Sequence, residues 1–195
     1  MRRTKDTIVA FEPAERPEEV KVSRFWKVLY EWLDSLIVAI IAVFLVFAFI
    51  FRIAAVEGGS MNPTLKDGDW LAVKAINTNI KRGDIVIITQ PNALNEPLVK
   101  RVIAVGGDQV DINFTEGIVK INGEVIHEPF IAEPTQRQFD IAFPITVPEG
   151  CYFVMGDNRN NSIDSRSNIV GFISYGYILG TAEARLYPLG DFRVE

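Results

Sequence analysis

Three short segments of this 195-residue chain carry side chains that could together cleave a peptide bond. They are GGSMNPTL at residues 58–65, LVKRVIAVGGD at 98–108 and GDNRNNSIDSR at 156–166. The first presents Ser60 on a glycine-hinged turn, and the second presents Lys100 after an apolar run. The chain has one histidine, His127. A serine nucleophile here would therefore use another base, and a buried lysine that has lost its proton can serve as one.

Neither Ser60 nor Lys100 is diagnostic alone. Ser60 lacks the G-x-S-x-G pattern of one class of hydrolases, and Pro63 stands where the S-x-x-K pattern of another requires lysine. An ordinary turn accounts for Ser60 taken by itself. On a strand, Lys100 and Arg101 point to opposite faces, so one of them must face the more apolar side. Desolvation there would lower the pKa of a lysine and make it a base.

The third segment, which we call the acidic loop (residues 156–166), is rich in side chains that form hydrogen bonds. Such loops usually make turns or cap helices. Calcium binding is an alternative, but the acidic residues do not follow the spacing of the twelve-residue calcium-binding loop. Ser162 could orient a neutral lysine, and Asp164 could pair with Arg166 to brace the backbone.

Composition narrows the range of functions. The formal net charge is −5, and the part after the apolar segment has no basic stripe interleaved with aromatic residues, so nucleic acid is not an expected partner. The single cysteine, Cys151, excludes an internal disulfide and a multi-cysteine metal site. Its neighbours are apolar, so we expect a buried cysteine on a strand. For His127 we expect a surface or structural role.

A long apolar segment predicts a membrane span. Leu36 to Phe51 is sixteen consecutive apolar residues, and the stretch to Val56 totals 21 residues with Arg52 as its only charge. A helix needs about 20 residues to cross the hydrocarbon core. A buried core helix is less consistent with this all-round hydrophobicity, and the apolar run is longer than that of a cleavable export signal. We therefore predict a signal-anchor at residues 34–56.

The residues flanking this segment predict its orientation. Lys21, Arg24 and Lys27 precede it, whereas Arg52 alone follows, and positive charge is typical of the cytoplasmic side. Residues 1–33 are then a cytoplasmic tail without ordered structure, and residues 57–195 are an extracytoplasmic domain. An interfacial aromatic belt is expected just before the span, formed by Trp26, Tyr30 and Trp32.

The extracytoplasmic part has the pattern of a mainly β domain. Short β-rich runs are separated by turn residues, and Asn122-Gly123 lies between alternating residues, which is a strong hairpin signal. The predicted strands lie at 70–73, 85–88, 102–105, 119–126, 152–155 and 177–182. We expect an antiparallel sheet with partial-barrel character and a small, loop-rich insertion at about 112–148.

The ordered segments resemble the boxes of bacterial type I signal peptidases, the Ser/Lys enzymes that cleave signal peptides from exported preproteins. Besides the three segments above, GDWLAVK at 68–74 and KRGDIVII at 81–88 match in order and spacing, so the resemblance runs from the apolar segment to about Gly180. The resemblance implies an antiparallel β peptidase domain behind a single membrane anchor, in the bacterial cell membrane.

The resemblance assigns roles by position. Ser60 is similar to the family nucleophile and Lys100 to its general base. Ser162 resembles the hydroxyl that orients the lysine, and Asp164 and Arg166 resemble the residues that brace the loop.

Two positions depart from a common family pattern. Gly58 replaces a hydroxyl that some relatives use as an oxyanion donor, which leaves the Ser60 amide for that role. Asn160 replaces an aspartate found in many relatives.

The resemblance also implies the substrate and partners. A signal peptide would lie extended between two strands and be cut after an Ala-x-Ala-like site, without a metal or organic cofactor. Further implied partners are the lipid bilayer and, nearby, the export translocon. The implied lining of the peptide groove is Val56, Met61, Leu65, Leu98 and Val99.

Two other functions fit parts of the pattern. A self-cleaving repressor-type Ser/Lys peptidase shares the expected core fold, but the apolar span and the lack of a recognisable DNA-binding module disfavour it. A non-catalytic, membrane-anchored β module that binds extended peptides is the alternative from another class. The presence of Ser60, Lys100 and Ser162 together favours the enzyme.

Overall fold

The computed structural model describes residues 23–75, 79–90 and 96–188. Within them lies one α-helix, α1, at Arg24–Ile50, and two 3₁₀ helices lie at Arg159–Asn161 and Tyr175–Tyr177. The eleven strands of these residues, β1 to β11 in chain order, are Phe51–Ala55, Trp70–Lys74, Ile85–Ile88, Leu98–Val105, Gln109–Asn113, Ile118–Ile121, Glu124–Val125, Ile145–Thr146, Cys151–Met155, Ile173–Ser174 and Ile178–Tyr187.

The strands form two antiparallel sheets. The larger, a curled half-barrel, has the order β1-β2-β11-β3-β4-β9-β10, and the smaller has the order β7-β6-β5-β8. The mainly β fold class predicted from the sequence is thereby confirmed.

Strand β3 shows how the larger sheet is packed on both faces. All four of its residues are buried: Ile85 and Ile87 belong to one hydrophobic cluster, and Val86 and Ile88 belong to another. Successive strand residues point to opposite faces, so a strand covered on both sides is apolar throughout. The uninterrupted Ile-Val-Ile-Ile sequence of this strand is the consequence.

The smaller sheet packs on the larger one through a third cluster. Ile103 and Phe153 of the larger sheet meet Val110, Ile112 and Val119 of the smaller one. The insertion expected at about 112–148 contains the end of β5, which begins at Gln109, followed by β6, β7 and β8, and its residues 126–144 form no strand.

The apolar segment is helical, with bounds that differ from the expected ones. Residues 24–45 are long and apolar enough to cross a membrane, judged by length and composition. However, α1 begins ten residues before position 34, and residues 51–55 are strand β1 rather than helix. Hydropathy reports which residues suit an apolar solvent and not which backbone conformation they adopt, and Phe51–Ala55 pairs antiparallel with β2.

The expectation of an unordered tail at residues 1–33 is corrected in part. Residues 24–33 are the first turns of α1. Residues 1–22 lie outside the described part of the chain.

The strands predicted from sequence are all present, although their bounds shift. The important extension is that β4 begins at Leu98 and so contains Lys100. Strands β1, β5, β8 and β10 were missed, because short or partly polar strands lack a clear alternating pattern.

Candidate active site

Ser60 lies on the turn that follows β1, and this turn is held at both ends. The amide of Gly58, whose φ is +76°, donates to the Asp67 carboxylate at 2.8 Å. The amide of Asn62 donates to the carbonyl of Gly59 at 3.2 Å. Position 58 faces open space, and its left-handed backbone favours glycine over a residue with a side chain.

Lys100 is buried in the middle of β4, and its amine reaches Ser60. The Lys100 Nζ donates to Ser60 Oγ at 2.8 Å and to the Val99 carbonyl at 3.0 Å, and the residue is 3% exposed. Burial lowers the pKa of Lys100 below its ordinary value, although the negative charges of Asp164, Glu96 and Asp157 act in the opposite direction. The arrangement therefore places an amine that loses its proton readily against a serine hydroxyl.

Strand pairing explains why the acidic loop meets this pair. Strands β4 and β9 are antiparallel, with Arg101 opposite Met155, so the loop that starts at Gly156 begins beside Lys100. The amide of Asn158 then donates to the Ser60 carbonyl at 3.0 Å, and its Nδ2 donates to the Gly59 carbonyl at 2.9 Å. The loop is thus joined directly to the turn that carries the serine.

Asp164 and Arg166 pair as the sequence suggested. The Arg166 Nε and Nη2 donate to the two carboxylate oxygens of Asp164 at 2.8 and 2.9 Å, and both residues are 0% exposed. Asp164 also accepts from the Gly156 amide at 3.0 Å. The pair therefore holds the start of the loop as well as its end.

Ser162 is buried next to the site, but it is not hydrogen-bonded to Lys100 in this structure. Within the described residues, its hydroxyl has no hydrogen-bond partner. The lysine amine donates to Ser60 and to the Val99 carbonyl instead. A Cβ placed on Gly156 would lie 2.3 Å from this hydroxyl, so the space between them is filled.

A second buried ion pair beside the site was not anticipated from the sequence. Arg101 binds Asp157 through Nε and Nη2 at 2.9 and 2.8 Å and donates through Nη1 to the Gly83 carbonyl at 2.7 Å. Asp157 also accepts from Thr64 Oγ1 at 2.6 Å, which ties the serine turn to the acidic loop. Two residues of the sequence could have indicated this ion pair: Arg101, which alternates with Lys100 on a strand, and Thr64, a polar residue in the serine turn.

A groove of about 600 Å³ opens next to Ser60 and Lys100. The residues that line it are Ala54, Ala55, Glu57, Gly58, Gly59, Ser60, Ile87, Thr89, Glu96, Pro97, Leu98, Val99, Lys100, Asn161, Ile163 and Leu179.

Two of the five residues expected to contact a peptide, Leu98 and Val99, line this groove. The other three, Val56, Met61 and Leu65, are at most 2% exposed and belong to a hydrophobic cluster. Three groove residues, Ala54, Val99 and Leu179, pack against that cluster. Val56, Met61 and Leu65 therefore support the groove wall from behind, because the chain reverses there and directs their side chains into the core.

Three further residues have defined surroundings. Asn160 accepts from the amides of Gln136 and Arg137, both at 3.1 Å, and donates to Glu133 at 3.0 Å. His127 is exposed, and Cys151 is half-buried on β9. Among the residues described, no three His, Cys, Asp or Glu side chains come together as a metal site would require.

The family model and the similar proteins of known name all point to the same family. The family model described as signal peptidase, peptidase S26, matches residues 29–187. Signal peptidase I of Bacillus licheniformis is 38% identical over 175 residues, which is 85% of this chain and 92% of that protein. Signal peptidase I T of Bacillus subtilis is 36% identical over 173 residues, covering 84% of this chain and 88% of the relative.

A solved structure also matches part of the chain. It is a signal peptidase I from Enterococcus faecalis, 28% identical, with a TM-score of 0.43, and the match covers 54% of this chain and 98% of that one.

Proposed function

This chain belongs to the signal peptidase family, peptidase S26, and from that premise we propose that it removes signal peptides from exported preproteins with a Ser60–Lys100 dyad. The hydrolase class follows from family membership. The observation that carries the dyad is the 2.8 Å separation between Lys100 Nζ and Ser60 Oγ in a groove that both residues line. A nucleophile and a base within hydrogen-bond distance are the minimum that such chemistry needs.

The reaction begins when neutral Lys100 accepts the hydroxyl proton of Ser60 and the serine oxygen attacks the scissile carbonyl. Negative charge then develops on the carbonyl oxygen, and we assign its stabilisation to the backbone amide of Ser60. The peptide C–N bond breaks, and the mature protein leaves after its new amino terminus takes the proton from Lys100. An acyl-enzyme ester on Ser60 remains.

Deacylation uses the same two residues, with water as the nucleophile and Ser60 as the leaving group. Lys100 accepts a proton from water, the hydroxide attacks the ester, and the signal peptide leaves with a carboxylate while Ser60 regains its proton. We assign orientation of the lysine to Ser162, and bracing of the acidic loop to Asp164 and Arg166. The buried ion pair of the latter two and the bond that Asp164 accepts from the Gly156 amide support that role.

The groove favours an extended peptide with small residues near the cut. Its wall carries Ala54, Leu98, Val99 and Leu179, which offer apolar contact to small side chains. We infer cleavage after Ala-x-Ala-like sequences, with the peptide backbone bonded to neighbouring strands as an added strand.

The homologues and the apolar helix suggest a membrane-anchored protein. We further propose a single pass through the bacterial cell membrane, with the N-terminus in the cytoplasm and the peptidase domain on the outer face. The cations before the span, Lys21, Arg24 and Lys27, support this orientation. Anchoring confines the enzyme to the bilayer surface near the export translocon, where preproteins emerge. The effective concentration of the enzyme near its substrate is thereby raised. Protease added outside intact spheroplasts should digest the β domain and spare an N-terminal cytoplasmic tag.

The function is tested by incubating the purified full chain in detergent with one model preprotein. We expect two products whose masses place the cut after an Ala-x-Ala sequence. Binding of the preprotein without cleavage would instead support the non-catalytic peptide-binding module.

A further inference from the structure

Residues 127–140, which we call the strap, cross over the acidic loop between β7 and β8. The strap contains no helix or strand, and its shape depends on its contacts. One of them holds it to the smaller sheet, because the Thr135 amide donates to the Gly117 carbonyl at 3.1 Å. Several of its other contacts are with arginines at or beside the acidic loop.

Two phenylalanines of the strap cover arginine side chains. The ring of Phe130 lies 4.0 Å from Arg101 Cζ and 5.7 Å from Arg159 Cζ, and the ring of Phe139 lies 5.3 Å from Arg166 Cζ. Contacts of this kind between a guanidinium and an aromatic face are attractive and gain strength when water is excluded. The strap therefore shields the ion pairs that hold the acidic loop.

Arg159 connects the strap to the loop backbone. It is 1% exposed, its Nε donates to the Gly156 carbonyl at 3.1 Å and its Nη1 donates to Thr135 Oγ1 at 3.0 Å. Its Nη2 lies 2.6 Å from Oε1 of Glu128, whose side chain is 7% exposed. Within the described residues neither of these two atoms has an aligned hydrogen-bond partner, so the contact is chiefly one of opposite charges.

Gly156 is where this connection reaches the candidate active site. A Cβ at this position would lie 2.4 Å from the Ser60 carbonyl oxygen, which shows how closely the loop backbone packs on the nucleophile's residue. Gly156 also lies next to Lys100. It follows Met155, which is opposite Arg101 in the antiparallel pair of β4 and β9. A shift of the Gly156 peptide would consequently move the wall against which both Ser60 and Lys100 are set.

We propose that Glu128 is a positioning residue that, by holding the Arg159 guanidinium against the Gly156 carbonyl, keeps Ser60 and Lys100 in reacting geometry. The inference rests on the proposed peptidase function. It follows from burial: a guanidinium that loses the Glu128 carboxylate is left as an uncompensated buried charge, and it will turn toward water instead of remaining on Gly156. No strap residue is among those that line the peptide groove, so the effect should fall on turnover and not on peptide affinity.

The first test compares Glu128→Ala with Glu124→Ala in the full-length detergent-solubilised protein. Glu124 is an exposed carboxylate four residues earlier, on β7. We expect kcat for preprotein cleavage to fall on the order of tenfold to a hundredfold for Glu128→Ala, as small misplacements of reacting groups do, and to stay unchanged for Glu124→Ala. Glu128→Gln keeps an oxygen acceptor for Arg159 and should recover part of the loss.

The second test separates positioning from stability. Replacing both members of the ion pair, as Glu128→Leu with Arg159→Met, removes the uncompensated charge and should restore the unfolding temperature lost in Glu128→Ala. Because the Gly156 carbonyl still lacks its donor, kcat should stay low. If kcat recovers together with the unfolding temperature, the ion pair is only structural and the proposal is wrong.

The third test measures binding and loop protection without catalysis. In a Ser60→Ala background, the Kd for a signal-peptide fragment should be the same with and without Glu128→Ala, and an equal loss in Kd and kcat would overturn the proposal. Hydrogen exchange at the Gly156 and Asn158 amides should be faster in Glu128→Ala than in the parent. A parent that cleaves no preprotein would refute the proposed function, whereas unchanged exchange would refute the strap's role.

Discussion

The amine of Lys100 lies 2.8 Å from the hydroxyl of Ser60, although the two residues are separated by 40 positions in the chain. The lysine is buried, and the serine lies on a turn that lines the groove. Burial supplies the lowered pKa of Lys100, and the turn supplies access for a peptide. This one contact unites the two requirements of the proposed Ser60–Lys100 dyad.

The dyad predicts the effect of removing either partner. Ser60→Ala and Lys100→Ala should each lower kcat/KM for a preprotein by about 10⁴-fold or more, because the remaining partner has no chemistry of its own. Products are quantified by mass spectrometry, and the unfolding temperature of each variant should show that the domain is still folded. Cleavage at the parent rate by Lys100→Ala would refute the dyad.

The charge of Glu96 should control the acid limb of the pH profile. Lys100 acts as a base only when neutral, so kcat falls as the pH is lowered through its pKa. The negative charge of Glu96 raises that pKa and thereby opposes the larger effect of burial. Glu96→Gln should therefore move the acid limb to lower pH, as measured by kcat at saturating preprotein.

Glu57→Gln is the matched control, since Glu57 also lines the groove but is not one of the charges that act on Lys100. Its acid limb should coincide with that of the parent. A shift of equal size in both variants would mean that general groove charge, and not Glu96, sets the profile.

Gly156 should tolerate no side chain. A Cβ there would lie 2.3 Å from Ser162 Oγ and 2.4 Å from the Ser60 carbonyl oxygen, so either the loop or the serine turn must move. We expect Gly156→Ala to lower kcat by about a hundredfold, the cost of a displacement near 1 Å. Gly176→Ala, where a Cβ meets nothing within 4 Å, should have parent activity. Equal kinetics for the two variants would contradict the packing described.

The Arg101–Asp157 pair should make Arg101→Lys costly. Arginine binds both carboxylate oxygens and the Gly83 carbonyl and stacks on Phe130, a set that a lysine amine cannot reproduce. We expect the free energy of unfolding to fall by about 3 kcal/mol, measured by urea denaturation, because the variant leaves Asp157 incompletely paired while buried.

Arg82→Lys provides the comparison for this prediction. Arg82 also binds a carboxylate, that of Asp108, but its side chain is 43% exposed. The expected loss is below about 1 kcal/mol, as for other exposed ion pairs. A loss as large as that of Arg101→Lys would show that burial is not the deciding factor.

The sequence was sufficient to propose the chemistry and to predict the class of fold. Ser60 and Lys100 could be singled out because one histidine leaves few bases for a serine, and the apolar residues 36–51 indicated a span. Strand periodicity located the sheet, since alternation along a strand is a local property. These features depend on residue type and on neighbours within a few positions, which a single sequence displays directly.

The structure decided which residues come together. That Lys100 meets Ser60, and that Gly156 packs between Ser60 and Ser162, follows from the β4–β9 register and from a turn held by Asp67. That Val56, Met61 and Leu65 lie behind the groove wall instead of lining it follows from the direction in which the turn points their side chains. The strap's contacts through Glu128 and Phe130 likewise join segments some 30 residues apart. Hydrogen-bond register and core packing are set by the whole sheet at once, and no local pattern of residues encodes them.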